Sequence, residues 1–348
     1  MKKLLTSAAV ALTLTAQAAF ADYTFVVPQK PGGGTSVWAQ IVATELEPFL
    51  GEKIKLVHIP GANDIPGFNK FHNELQFEPK TAMVSHGGNG VSYLMDDVDY
   101  EYRDYTPIAM MNLTIINGIR KDFTEGKVKF AGGSGMTPDV FGQILLLGGP
   151  NLTMAQAQKI FDEKYVYVKG MSGGERRLAF KRGELNVTRE SPAAYFKHVS
   201  TNPDAEVLFS NGVFNLETGE IDADPNFPGK SIREVFVKTW GVEPSGEFWD
   251  AYQLIRNFRD VLQKALWMSK DSPDAAKLTV AFEAMLKDPQ AVANIQKSAG
   301  KYDWIVGKDM IKALDILVAQ INEKSLNDTV SFARYLGKSA IVKEELLK

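Results

Sequence analysis

The sequence predicts an α/β protein made of two lobes. Its 348 residues are enough for two domains of ~150 residues each. A pattern of strand, glycine-rich turn, helix and strand occurs near the amino end and begins again near residue 128. The segments after residue 247 have mostly helical periodicity. A second βα cycle followed by helices favours two lobes that are joined by crossing strands.

The first cycle begins with an apolar strand at residues 23–28, which leads into the turn Gly-Gly-Gly-Thr at 32–35. A helix over 37–50 is then predicted by apolar residues at helical spacing, namely Val37, Ile41, Val42, Leu46 and Leu50. Gly51 ends this helix, and a second strand follows at 54–59. Strand, helix and strand in this order predict a parallel sheet.

The later elements follow the same reasoning. Further strands are predicted at 81–85, 108–111 and 114–119, and the second cycle comprises strands at 128–131, 165–168 and 185–188 with helices at 138–147 and 174–182. Residues 209–246 are rich in Gly, Pro, Asp and Asn, which predicts long loops. Helices are predicted at 248–266, 273–287 and 308–322.

The amino-terminal segment predicts export. Residues 1–21 have a basic start at Lys2 and Lys3, an apolar stretch and an Ala-Phe-Ala site before Asp22, which is typical of a cleavable signal peptide. No later segment is as long and apolar as the ~20 residues that cross a bilayer. A signal peptide on a chain without cysteine predicts a bacterial periplasmic protein that relies on its core and not on disulfides.

Composition and spacing argue against several functions. A net charge of −3 without a dense basic run argues against nucleic-acid binding. The four histidines are scattered without zinc-site spacing, so we expect no metal and no cofactor. No Ser-x-x-Lys pair lies in a plausible loop. The spacing of Asp and Glu residues leaves catalysis by a pair of carboxylates open. The prediction is nevertheless that the protein is not an enzyme.

Three glycine-rich loops are candidates for binding an anion. They follow predicted strands at residues 32–35, 86–90 and 132–135. The N–H groups at the start of a helix bind anions with help from the helix dipole, and open α/β sheets place ligands at the carboxyl ends of their strands. Each loop alone is more often an ordinary turn. The three together predict a carboxylate site, and the spacing of a P-loop or dinucleotide motif is absent.

Several segments resemble the extracytoplasmic receptors of tripartite tricarboxylate transporters, which are also called Bug receptors. Residues 26–35 and Pro60-Gly61-Ala62 are similar to the most specific motifs of that family. The resemblance continues at 100–108, 130–135, 166–191 and 225–228, so it spans most of the chain after the signal peptide.

The resemblance implies the type II periplasmic-binding-protein fold, with a central mixed β-sheet flanked by helices in each lobe and a ligand cleft between the lobes. Residues 22–122 and 265–348 are expected to form lobe 1, and residues 123–264 lobe 2. The first loop and the second lobe's Ser/Thr loop are implied to grip a carboxylate. The expected ligand-binding residues are Gly33, Gly34, Thr35, Ser85, His86, Ser134, Gly135, Thr137, Glu190 and Ser191.

Some residues depart from the family pattern or have two interpretations. Ser36 stands where Asp is common, and His58-Ile59 stands where Asn-Arg often precedes the Pro-Gly pair. Glu190 either selects a cationic or hydroxyl group of the ligand or is a partnered structural charge. Arg176 and Arg177 either bind a carboxylate in a bidentate manner or lie on a solvent-exposed helix face.

The expected function is that of a periplasmic receptor that closes on a small carboxylate and delivers it to the membrane permease subunits of a tripartite transporter. The alternative is a ligand-sensing subunit that acts on a sensor kinase or chemoreceptor, because both roles need the same closing cleft. We expect a monomer in either case.

Overall fold

Six strands form the largest sheet of the computed structural model, which describes residues 22–132 and 137–347. The strands are β1 (Tyr23–Val27), β2 (Ile54–His58), β3 (Thr81–His86), β4 (Tyr105–Met111), β12 (Lys264–Ser269) and β13 (Trp304–Val306). Their order across the sheet is β13-β4-β12-β3-β1-β2. β1 runs parallel to β2 and β3, whereas β12 runs antiparallel to β3 and β4. The sheet is therefore mixed and not wholly parallel.

Smaller sheets are built from the middle of the chain. An antiparallel sheet with the order β8-β5-β9 contains β5 (Ile116–Arg120), β8 (Val187–Glu190) and β9 (Ala205–Ser210). A parallel pair is formed by β6 (Val128–Gly132) and β7 (Tyr165–Lys169). An antiparallel pair is formed by β10 (Val213–Phe214) and β11 (Ile221–Asp222).

The helices cover these sheets. In the first half of the chain they are α1 (Gly34–Leu50), α2 (Ile65–Asn73), α3 (Gly87–Met95), α4 (Thr137–Gly148), α5 (Met154–Lys164) and α6 (Gly173–Lys181). In the second half they are α7 (Pro192–His198), α8 (Ile232–Trp240), α9 (Glu247–Val261), α10 (Ala275–Lys287), α11 (Pro289–Ala299), α12 (Lys308–Ala319) and α13 (Glu323–Tyr335).

The central strands are mostly apolar because both faces of the large sheet are covered. Phe25 and Val27 of β1 join one buried cluster with α1 and α10, and Val26 joins a second cluster on the opposite face. This alternation follows from the two-residue repeat of a strand, and the continuous apolar sequence is typical of a sheet that is buried on both sides.

The last helix packs on the core of the middle segment. The ring of Phe332 in α13 lies 4.7 Å from that of Phe141 and 5.0 Å from that of Phe248, measured between centroids. The chain then returns to the first core, where the N–H of Ile341 donates to the carbonyl of Met95. The carboxyl-terminal segment therefore contacts both cores.

Two of the differences between the structure and the sequence prediction fall within residues 209–269. The helix predicted at 248–266 ends at Val261, and Lys264 begins β12, which hydrogen-bonds between β3 and β4 in the centre of the sheet. The loops predicted at 209–246 contain the β10–β11 hairpin and α8. α8 begins with a capping box in which Ser231 and Glu234 bond each other's backbone N–H groups.

Some predictions lie outside the described residues, including the signal peptide at 1–21 and the loop residues Ser134 and Gly135. Over the residues that are described, none of the helices combines the length and apolar character needed to span a bilayer.

Candidate functional site

A cleft of about 1030 Å³ lies between the large sheet and the sheets of the middle segment. It is lined by the segments that follow β1, β2, β3, β7 and β8, by Gln263 and Lys264, and by residues 336–339. Most of these segments lie at the carboxyl ends of strands, where open α/β sheets bind their ligands. The volume is at the upper end of the range for small-molecule sites.

Six of the expected ligand-binding residues line this cleft, namely Gly33, Gly34, Thr35, His86, Glu190 and Ser191. Ser85 does not line it. Its hydroxyl is fully buried, donates to the carbonyl of Leu262 at 3.0 Å and accepts from the indole of Trp267 at 3.1 Å. Thr137 begins α4, and Ser134 and Gly135 lie in the gap of the described residues.

The start of α1 presents donors to the cleft. Gly33 is the N-cap residue and provides no side-chain cap, so the first-turn N–H groups depend on other acceptors. The N–H of Thr35 lies 3.4 Å from Oε1 of Gln29, which is a long hydrogen bond. Oγ1 of Thr35 is buried and has no hydrogen-bond partner among the described residues.

A hydrogen-bonded chain connects this loop to the loop after β3. Oδ2 of Asp64 accepts from Nε2 of Gln29 at 3.3 Å and lies 2.6 Å from Nδ1 of His86. The same Nδ1 accepts from the N–H of Gly88 at 3.0 Å, so the two contacts compete for one ring atom. Burial lowers the pKa of His86 to about 4 against the opposing effect of Asp64, and the ring is therefore neutral at neutral pH.

The glycines after His86 serve packing. A Cβ atom on Gly90 would lie 2.0 Å from the carbonyl oxygen of Phe258, and one on Gly87 would lie 2.7 Å from that of Arg259. These glycines let α3 lie directly against α9. This glycine-rich loop is therefore explained largely by helix contact, since His86 itself caps the N-terminus of α3.

The two positions that depart from the family pattern contact each other. Oγ of Ser36 lies 2.9 Å from Nε2 of His58, and it accepts from the N–H of Gly32 at 3.4 Å. Burial lowers the pKa of His58. The pair therefore helps to hold the glycine-rich loop through a neutral imidazole.

Glu190 is a partnered charge on the wall of the cleft. Its Oε1 accepts from Arg176 at 2.9 Å and lies 3.7 Å from Nε of Arg177. Arg176 is 5% exposed and also donates to the carbonyl of Arg189 at 2.8 Å. The interpretation of Arg176 as a solvent-facing arginine is therefore wrong. The contacts of Glu190 are those of a structural charge that is paired with arginine, which is one of the two interpretations given from the sequence.

The charges of the lining are unequal. Two carboxylates, Asp64 and Glu190, face the cleft together with six cationic residues, namely Lys30, Arg176, Arg177, Arg189, Lys264 and Lys338. The cleft lining thus carries an excess of positive charge, although the whole chain has a net charge of −3. Clefts lined by charge of one sign concentrate ligands of the opposite sign, so this cleft favours an anion.

Most of the buried cations have a carboxylate nearby. Nζ of Lys338 lies 2.9 Å from Asp96. Nε of Arg189 lies 3.6 Å from Oδ2 of the fully buried Asp139. Burial, followed by the charge of Arg259, lowers the pKa of Arg189 to about 9, which leaves it protonated at neutral pH.

Lys264 differs from these residues. Its side chain is 1% exposed, its ammonium donates to the carbonyl of Gln263 at 3.1 Å, and within the described part of the chain it forms no salt bridge. Burial, followed by the charges of Arg259 and Arg189, lowers its pKa to about 7. Oε1 of Gln263 and Oγ of Ser191 are further buried atoms of the lining that lack partners among these residues.

Sequence reasoning did not find Asp64, Gln263, Lys264 or Lys338. Lys264 fell inside a predicted helix, so its place at the start of a central strand was hidden. Lys338 reaches the cleft only because the chain returns from α13. Asp64 has a left-handed backbone with φ of 62°, which no sequence pattern indicated. Within residues 22–132 and 137–347, no cluster of three or more His, Cys, Asp or Glu side chains could hold a metal ion.

Comparisons with known proteins identify the fold. No protein-family model matches the chain, and a search of curated proteins also finds no match. MatC from Rhodopseudomonas palustris, solved with bound malate, has a TM-score of 0.58 at 15% identity, covering 90% of this chain and 98% of its own. The periplasmic binding protein BugD has a TM-score of 0.55 at 15% identity, covering 91% and 96%.

A further similar structure is an adipate-bound protein from R. palustris, with a TM-score of 0.58 at 11% identity over 88% of this chain and 97% of that one. Identities this low establish the fold alone. The mixed α/β architecture and the near-complete coverage of both chains confirm the predicted fold class. The chain therefore has the fold of the periplasmic binding protein BugD and of the other solved structures named here.

Proposed function

We propose that the protein is a periplasmic receptor of the tripartite tricarboxylate transporter family that captures a small carboxylate and catalyses no reaction. The lobes in this proposal are residues 22–122 with 265–348, and residues 123–264. The ligand enters the cleft between them, and the lobes close around it. A signal peptide at residues 1–21 would direct the chain to the periplasm.

The charge of the cleft is the observation that carries this proposal. Six cationic side chains and two carboxylates line one cavity, and the uncapped start of α1 adds backbone N–H donors. Anions are stabilised near the start of a helix. Carboxylates bound by charge-assisted hydrogen bonds are held more strongly than neutral groups, which favours an organic acid over a sugar.

Closure is supported by the way both sides of the cleft offer polar atoms. Thr35 belongs to α1 and Ser191 to the start of α7, and each has a buried oxygen without a partner among the described residues. A ligand that contacts both sides stabilises only the closed arrangement and so selects it.

Binding is tested by thermal unfolding. The chain without residues 1–21 is refolded from denaturant to remove carried ligand, and it is then screened with carboxylic acids that include malate and adipate. An acid at a hundredfold excess over its dissociation constant adds about 2.7 kcal/mol to the free energy of unfolding. The neutral amides of the same acids are the matched controls. Absence of a shift with every acid, or equal shifts with the amides, contradicts the proposal.

Delivery to a permease is tested separately. The receptor is co-expressed with the membrane permease genes that neighbour its own gene, in a host that cannot take up the acid found by the screen. Uptake that requires both receptor and permease supports delivery. Uptake by the permease without the receptor, or none with both, argues that the receptor serves another partner.

A further inference from the structure

Lys264 lies where the two sides of the cleft meet. It begins β12, and its Cα pairs with that of His86 on β3. It also lies close to Gly34, Trp38 and Ser191, which line the same crevice. Its side chain is therefore next to the uncapped start of α1 and the unpartnered hydroxyl of Ser191.

The ammonium of Lys264 is buried with little compensation. An ammonium offers three donors, and the described residues supply one hydrogen bond, to the carbonyl of Gln263. A buried charge without a partner is costly. Lys338, by contrast, is buried in the same lining but has Asp96 at 2.9 Å. Among the described residues, Lys264 therefore has donors without an acceptor.

The surrounding charges oppose a positive Lys264. Arg259 on α9 and Arg189 on β8 repel it, whereas Asp64 after β2 and Asp260 on α9 attract it. His86 on β3 lies beside it and is neutral at neutral pH. Burial and the two arginines outweigh the carboxylates, so the pKa falls to about 7, and an anion brought into contact would raise it.

Resting on the proposed function, we propose that Lys264 is the counter-ion of the ligand's anionic group and takes up a proton when that ligand binds. The proton comes from the solvent and stays on Nζ while the anion is bound. In the empty cleft the amine is partly neutral near pH 7, and in the occupied cleft it is an ammonium. The receptor therefore selects anions and binds them more tightly as the pH falls toward 7.

The sign of the pH dependence follows from linkage. The bound state holds more protons than the empty state above pH 7, so affinity falls as the pH rises, by up to tenfold per pH unit. Below about pH 6 Lys264 is charged in both states and the dependence levels off. Arg189 has a pKa of about 9, so measurements between pH 6 and 8 isolate Lys264 from it.

Calorimetric titration with the best acid from the malate and adipate panel tests this. Heats measured at pH 7.5 in two buffers of different ionisation enthalpy give the number of protons taken up. Wild type is expected to take up between about half a proton and one proton. K264M should lose at least about tenfold in affinity and all the uptake. K264R keeps a charge that does not titrate near neutrality, so it should retain more affinity than K264M without proton uptake.

Lys270→Met is the matched control, because Lys270 follows the other end of β12 and is exposed. Circular dichroism and melting temperature verify that each variant is folded. Equal affinity and equal proton uptake in wild type and K264M would overturn this inference while leaving the receptor function intact. Failure of every acid to bind wild type would overturn both.

Discussion

A Cβ atom added to Gly34 would lie 2.5 Å from Oγ of Ser191, which belongs to the opposite side of the cleft. A methyl group at position 34 would therefore force the hydroxyl of Ser191 to move. Both residues also line the cleft beside Lys264. The glycine is needed for this approach and not for a left-handed backbone, since Gly34 is absent from the residues with positive φ.

Gly34→Ala is therefore expected to weaken ligand binding by about tenfold or more while the protein stays folded, because the methyl group displaces Ser191. Calorimetry with a bound acid measures the affinity, and circular dichroism follows the fold. In a Ser191→Ala background the nearest side-chain atom would be Cβ of residue 191 at 3.7 Å, so the same substitution should cost less. Two contacting residues typically couple by about 0.5–3 kcal/mol, and additive effects would show that the contact is unimportant.

Gly90→Ala is expected to destabilise the fold itself. Its Cβ would lie 2.0 Å from the carbonyl oxygen of Phe258, so α3 and α9 must move apart. Overpacking of this kind costs about 1–3 kcal/mol or more. Urea unfolding measures the loss of free energy. Ser92→Ala on the same helix removes a buried hydroxyl without a partner among the described residues and should be close to neutral. A Gly90 variant of wild-type stability would contradict the close helix contact.

Glu190→Gln is expected to strengthen binding of simple acids by on the order of 1 kcal/mol, since it removes one negative charge from the cleft wall. It should also lower the stability of the empty protein, because Arg176 loses a charged partner at 2.9 Å. Calorimetry and thermal unfolding measure the two effects. Loss of binding in this variant would instead favour direct recognition of the ligand by Glu190.

Lys264→Met is expected to raise the melting temperature of the ligand-free protein more at pH 6.5 than at pH 9. In the folded chain the pKa of this lysine is about 7, against an ordinary value of 10.5. The unfolded chain therefore binds more protons between these values, and wild-type stability rises with pH in that range. Each kcal/mol gained corresponds to ~2–4 °C for a domain of 150–250 residues. An equal gain at both pH values would show that Lys264 does not titrate near neutrality.

Much of the first half of the chain is predictable because local signals agree with the tertiary structure. The strand at 23–28, the helix ended by Gly51 and the strand at 54–59 occur as β1, α1 and β2 within two or three residues. Each is a strongly apolar segment bounded by Gly or Pro. The sequence alone therefore predicts that the loop before α1 lies at the end of a strand.

The prediction failed where long-range pairing decides the structure. The sequence predicts a helix that runs to residue 266, but hydrogen bonds to β3 and β4 make residues 264–269 a strand. Lys264 is brought to the cleft by that pairing, as Lys338 is by the return of the chain after α13. α8 was missed for a different reason, since Ser231 and Glu234 form a capping box that was visible in the sequence.

The packing of α13 bears on how the chain is made. Phe332 meets both Phe141 and Phe248 edge to face, so the core of the middle segment is completed by a helix from much later in the chain. Residues 116–261 alone leave that aromatic cluster open to solvent. This core is therefore expected to be complete only after α13 has been synthesised. For a chain that crosses a membrane before folding, the delay itself would keep the precursor competent for translocation.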